Sequence, residues 1–173
     1  MLSVNKLIRG GRGLAAALLK RATSVELDWD SRQKSRFDAT DSAGRHLGVF
    51  LSRGSVLRGG DVLVAEDGSL VRVIAQAQPV LRVTVCAEHG SAPDLVRAAY
   101  HLGNRHVALE VQANHLQLEP DSVLAEMLRS MHLIVHEVQA PFEPEGGAYA
   151  SAHAHAHDHA HDHRHHPHGH PHE

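Results

Sequence analysis

Eleven histidines crowd the stretch from Ser151 to Glu173: His153, His155, His157, His159, His161, His163, His165, His166, His168, His170 and His172. They alternate with Ala, Asp, Gly and Pro, and no Leu, Ile, Val or aromatic residue lies among them. Imidazole has a reference pKa of about 6.5, so near pH 7 most of these rings offer a free lone pair to a metal. Ni(II), Zn(II), Cu(II) and Co(II) all suit such donors, and Asp158 and Asp162 add oxygens. At two to four ligands per ion the stretch would hold roughly three to five ions. A purification tag is the plainer reading, but tags are usually short uninterrupted His runs, whereas this one is long, interleaved and acid-bearing. Donor chemistry does not choose the metal, because the Irving–Williams order favours copper at any such site.

A second candidate lies within the folding part. Tyr100-His101-Leu102-Gly103-Asn104-Arg105-His106 reads as a helix end in which Gly103 turns the chain and His106 emerges before the next strand. His106 could ligate a metal or merely satisfy a local carbonyl. His101 lies in the same segment, where packing or support of a ligand is the simpler role. Cys86, Glu88 and His89 could form a small soft site, although a strand-end cysteine more often packs as a small apolar group. His132 and His136 read as structural or exposed. Arg32, Lys34 and Arg36 read as a solvated loop, with contact to a partner protein as the alternative. No H-E-x-x-H, nucleophile elbow or phosphate-cradling glycine loop is present, so a hydrolase has no visible constellation.

These groups need a scaffold, and the sequence suggests two units. Histidine-rich residues 151–173 cannot bury a core and are expected to be disordered. The remainder suffices for one ordinary domain or two small ones. Aromatics make up only 3% of the chain, so any core must rest on Val, Leu, Ile and Ala. Apolar residues alternate from Val25 through Leu27 to Trp29, a polar turn covers 30–36, and short strands are expected at 47–51, 61–65 and 70–75. Turn signals at Asp41-Ser42-Ala43-Gly44, Arg58-Gly59-Gly60 and Glu66-Asp67-Gly68 separate them, predicting a small all-β domain over 1–76. From 77 to 150 the pattern becomes strand 80–86, helix from Ser91 (Leu95, Ala98, Ala99, Leu102), strands 107–111 and 115–118, helix from Asp121 (Leu124, Met127, Leu128, Met131), strand 133–138. That order, βαββαβ, is ferredoxin-like, so the fold class is α+β.

Formal net charge is −3, which gives no basic field for nucleic acid or an anionic membrane. Lys6, Arg9, Arg12 and the run from Leu14 to Leu19 faintly imitate a targeting peptide, but the apolar run is too short and no cleavage site follows. No run approaches the ~20 apolar residues of a membrane span. One cysteine suits a reducing compartment, and a cytoplasmic location is expected.

Four separated stretches carry a resemblance. Tyr100–His106, Arg32-Gln33-Lys34-Ser35-Arg36, Pro141-Phe142-Glu143-Pro144-Glu145 with Gly147-Ala148-Tyr149, and the histidine-rich tail closely resemble the UreE family, nickel metallochaperones for urease assembly. The resemblance covers nearly everything after about residue 23. It implies a non-enzymatic homodimer with a peptide-binding-like N-terminal domain, in which both copies of His106 meet at one nickel ion. It also implies further ligands from the tail, His153, His155 and His157 being nearest. Nickel delivery to the urease apoprotein–accessory complex, with the GTPase UreG, is implied as well; pairing of dimers into tetramers around shared metal stays open. Some relatives carry an H-x-H pair before the second helix; here Glu119-Pro120-Asp121-Ser122 replaces it, so that pair is not expected. The rival reading is a histidine-rich metal store or buffer without a delivery partner.

Overall fold

A computed structural model of the protein describes residues 1–88 and 90–146. The expected disordered segment 151–173, with all its histidines, and His89 lie outside them.

The first unit is a six-stranded sheet with two short helices between strands. Its strands are β1 (Leu2–Ile8), β2 (Thr23–Leu27), β3 (Arg36–Thr40), β4 (His46–Phe50), β5 (Val62–Ala65) and β6 (Leu70–Ala75). They lie in the order β2-β6-β5-β1-β4-β3, with β1–β4 and β2–β6 parallel and the other pairs antiparallel. The core follows period-two alternation: Val25 and Leu27 are buried around exposed Glu26, and Val71 and Val73 around exposed Arg72. Val4, Leu47, Val49, Leu57 and Leu63 complete this core, each fully buried and each worth about 2 kcal/mol of transfer free energy.

Helices α1 (Ala16–Arg21) and α2 (Trp29–Arg32) are brief. Strand β1, absent from the expected strands, is interior, lying between β4 and β5, and the run from Leu14 to Leu19 leads into α1. One expectation for this unit needs correction. The polar turn over 30–36 begins as α2, whose N-cap is Asp28, its carboxylate accepting the Ser31 N–H at 2.8 Å.

The second unit is ferredoxin-like. Strand β7 (Gln78–Thr84) leads to α3 (Ala92–Gly103), then β8 (Leu109–Val111), β9 (Leu116–Leu118), α4 (Ser122–Ser130) and β10 (Ile134–Ala140). The sheet order β10-β7-β9-β8 is the 4-1-3-2 arrangement that this chain order produces when both helices cover one face. Leu102 and Leu128 from the helices are fully buried against Val83, Leu116 and Leu118 of the sheet. The start of α3 is fixed because the Asp94 carboxylate accepts the Ser91 N–H at 2.8 Å. Asp121 caps α4 by accepting the Leu124 N–H at 2.8 Å.

A small third cluster, Trp29, Val80, Ala140 and Phe142, closes the seam between the units, with the Trp29 and Phe142 rings edge to face at 6.1 Å. Beside it lies the largest departure from sequence expectation. Arg32, expected in a solvated loop, is completely buried. Its Nε donates to the Leu27 carbonyl (3.1 Å), its Nη1 to Glu143 Oε1 (2.8 Å) and its Nη2 to the Phe142 carbonyl. Burial opposes the guanidinium charge and Glu143 supports it, so the ion survives there because its donors are matched. Among the described residues no helix is long and apolar enough to cross a membrane.

Candidate functional site

Helix α3 runs from its capped start to Gly103, and two backbone bonds then close it. The His106 N–H donates to the Gly103 carbonyl (2.9 Å) and the Val107 N–H to the Leu102 carbonyl (3.2 Å). This is a Schellman motif, which needs one left-handed residue; here that residue is His106, with φ of 57°. Gly103, expected to be the left-handed cap, is instead the last helical residue. Buried Leu102 and partly buried Val107 belong to the same core cluster, so apolar contact holds the turn while the His106 side chain faces solvent.

The same motif ends α4. The His132 N–H donates to the Arg129 carbonyl (2.9 Å) and the Leu133 N–H to the Leu128 carbonyl (3.2 Å), with His132 at φ 63°. Each half of the ferredoxin-like unit therefore presents an exposed histidine on a left-handed cap. The cap explains the backbone of both residues, so His106's positive φ says nothing in itself about ligation.

Its surroundings do differ in kind. On α3, Val96 and Tyr100 are 69% and 65% exposed, and nearby Val111 is 47% exposed. A groove of about 360 Å³ lined by Leu95, Val96, Ala99, Val111, Gln112, Ala113 and Leu116 runs between α3 and the sheet edge. Residues four apart on a helix share a face, so Val96 and Tyr100 form an apolar strip leading toward the helix end that carries His106. His101 packs edge to face on Tyr100 at 5.5 Å, and its carbonyl accepts from Arg105 Nη1 at 3.2 Å.

Cys86 is half-buried and lines a separate cavity of about 660 Å³ with Asp94, Arg97, Met131 and His132; His89, its suggested companion, lies outside the described residues. His136 is exposed on β10. Among the described residues no three His, Cys, Asp or Glu side chains gather closely enough to hold an ion. A single chain thus offers, in its described part, no cage for an ion.

The residues after β10 return to this region. The Glu145 N–H donates to the Leu109 carbonyl at 2.8 Å, and Leu109 follows His106 by three residues. Three peptide units span at most about 11 Å, so Glu145 lies near His106. The Leu109 carbonyl and the buried Arg32 that hold residues 141–146 gave no local signal in the sequence.

Family models match both units: residues 4–76 match the UreE urease accessory protein, N-terminal domain, and residues 78–172 its C-terminal domain. The chain is 76% identical over 152 residues to the urease accessory protein UreE of Methylibium petroleiphilum, covering 88% of this chain and 70% of that one. It is 72% identical over 151 residues to its counterpart in Paracidovorax citrulli, covering 87% of this chain and 72% of the relative. For the Verminephrobacter eiseniae protein the figures are 66% over 151 residues, 87% and 90%.

Proposed function

The chain belongs to the UreE family of urease accessory proteins, and on that premise we propose that it carries Ni(II) as cargo to the urease apoprotein–accessory complex. Its role in urease maturation follows from the family; the metal, the site and the partners are our reading. The observation that carries it is the exposed His106 imidazole, held on a helix cap at the end of an apolar strip, with no group of three ligating side chains gathered among the described residues.

One imidazole holds an ion weakly. A two-fold pairing across the Val96–Tyr100 strip would bring two copies of His106 to one ion without further sequence. That leaves coordination positions for tail imidazoles and for the receiving protein. A carrier needs such an open site, because a closed four-ligand cage retains its metal. His153, His155 and His157 are the first tail ligands we assign. His153 is eight residues beyond Glu145, roughly 26 Å when extended, which exceeds the short span back to His106. The remaining tail histidines, His159 to His172, add capacity. In this reading the protein performs no chemistry on its cargo, and the GTPase UreG acts with it at delivery.

Calorimetric nickel titration of three forms tests the proposal: the whole chain, a truncation after Ala150, and full-length His106→Gly. Glycine is chosen because it suits the left-handed cap. The truncation should keep about one ion per two chains, and His106→Gly should lose that ion while keeping the tail's. A truncation that binds nothing, with His106→Gly binding as the parent does, would make the protein a metal store.

A further inference from the structure

The two outer strands of the first sheet are treated differently. On β2, the Ser24 N–H donates to Ser42 Oγ (3.0 Å), the Ser24 carbonyl accepts from the Ser42 N–H (2.7 Å), and Arg32 Nε takes the Leu27 carbonyl (3.1 Å). At the other side of the sheet, β3 pairs only with β4. Two bonds at its ends set the phase of that ladder: the Leu51 N–H donates to the Ser35 carbonyl (2.7 Å) and the Asp41 N–H to the Arg45 carbonyl (3.0 Å). Phe37 and Ala39 share this phase and turn their backbone polar groups toward β4. Those of Arg36, Asp38 and Thr40 turn outward, where no described strand receives them.

The surroundings of this edge are apolar and basic. Arg36 stands opposite Phe50, which is 48% exposed, and Met1 is 80% exposed. The two apolar side chains converge over Gly48, where an added Cβ would lie 3.1 Å from Phe50 Cε2 and 3.3 Å from Met1 Cε. On the other face of the strand, Phe37 and Ala39 are only partly buried against the first core. Arg36 and Arg53 are exposed and form no ion pair among the described residues. Residues 1–76 carry 12 Lys and Arg against 8 Asp and Glu, whereas residues 77–146 carry 4 against 9. The first unit is therefore the cationic one; β10, which also ends its sheet, lies in the acidic one.

We propose that the outer edge of β3 is a docking site for an extended segment of a partner protein in which acidic and apolar residues alternate. Added as a further strand, such a segment would satisfy the outward N–H and C=O groups of Arg36, Asp38 and Thr40. Its apolar side chains would cover Phe37 and Ala39 on one face, and its acids would lie on the face that carries Arg36. Charge at a bare edge wards off indiscriminate strand pairing; here the cations would admit an acidic strand and repel a basic one. Docking at this edge needs no metal and no contribution from His106.

The test uses the whole chain and a synthetic probe, an end-capped peptide of alternating Glu and Val, added up to about 1 mM so that even a weak specific site begins to fill. Backbone-amide NMR should show the Arg36, Asp38 and Thr40 N–H signals shifting and exchanging more slowly, with β10 unchanged. The same peptide N-methylated at alternate residues keeps its charge but cannot complete a ladder, and should bind about tenfold more weakly. With Lys in place of Glu, binding should be lost. Asp38→Pro removes the middle outward N–H at an edge position that tolerates proline, and should weaken the Glu–Val probe about tenfold although it also removes a repelling charge. Equal binding of the N-methylated peptide would leave charge as the whole attraction, and equal binding of the Lys peptide would remove the preference for acid; either overturns the inference. So would an absence of shifts at the three amides, which would make the charges of β3 guards alone. Shifts that follow protein concentration without any probe would make a second copy of the chain the occupant, and would overturn it as well.

Discussion

At the scale of single residues, His106 combines two properties with separate causes. Its backbone is left-handed because the Schellman motif demands it, and His132 shows the same conformation where the same motif recurs. Its imidazole is exposed because the two apolar residues around it, Leu102 and Val107, face the core instead. Replacing His106 separates these properties. His106→Gly relieves the left-handed conformation whereas His106→Ala does not, so the glycine variant should be more stable by about 1 kcal/mol in denaturant unfolding. Both should lose the nickel that the proposed function places at the folded site. Equal stabilities would show that the cap is not formed in solution. The helix end was legible in the sequence from its apolar spacing, but the residue bearing the positive φ was not. Gly103 drew attention as the residue best able to adopt that conformation. The position is set instead by which later apolar side chain folds back onto Leu102, and that is a tertiary choice.

Among elements, the turn between β3 and β4 carries the clearest electrostatic commitment. Burial raises the Asp41 pKa, but N–H donors from Arg45 and Ala43, the Arg45 guanidinium and the Thr23 hydroxyl outweigh it and bring it to about 2. A carboxylate depressed below its ordinary 3.8 adds stability that is complete above that value and is lost as pH falls through the folded value. Asp41→Asn should therefore destabilise the protein at pH 7 by on the order of 2 kcal/mol, and the deficit should shrink between about pH 4 and 2. Thermal unfolding across that range checks it; a deficit that stays constant would mean the ionised form is not what matters. The Asp41–Gly44 turn was readable from residue types alone, as were the alternating strands β2 and β6. Strand β1 was not, because Leu2–Ile8 buries only Val4 completely and shows no clean alternation. Its place between β4 and β5 comes from pairing partners some forty to sixty residues away.

For the molecule as a whole, the proposed function gives the described units and the histidine-rich stretch different parts in cargo handling, and acidity should distinguish them. Each ion held by two to four tail imidazoles needs roughly that many lone pairs, and protons compete for each of them. Below about pH 6.5 affinity should fall by roughly two to four powers of ten per pH unit, so nickel should leave steeply between pH 7 and 5. Equilibrium dialysis over that interval measures it, and a flat curve would remove the tail from the account. The two-unit plan was legible from the change of pattern after about residue 76. The seam was not, since a buried arginine looks like any surface arginine until two of its three acceptors, more than a hundred residues later, are in place.

That separation has a consequence for how the chain is made. Arg32 leaves the ribosome 111 residues before Glu143, a lag on the order of ten seconds at ordinary elongation rates. Throughout that lag the first unit has a cationic side chain whose burial site lacks its counter-charge and one carbonyl acceptor, and Trp29 lacks the ring that covers it. The seam closes only when Phe142 and Glu143 arrive, and the first tail histidine, His153, is translated ten residues after Glu143. A nascent chain that stalls before this point is left with an open seam for proteases to find, before any histidine of the tail has been synthesised.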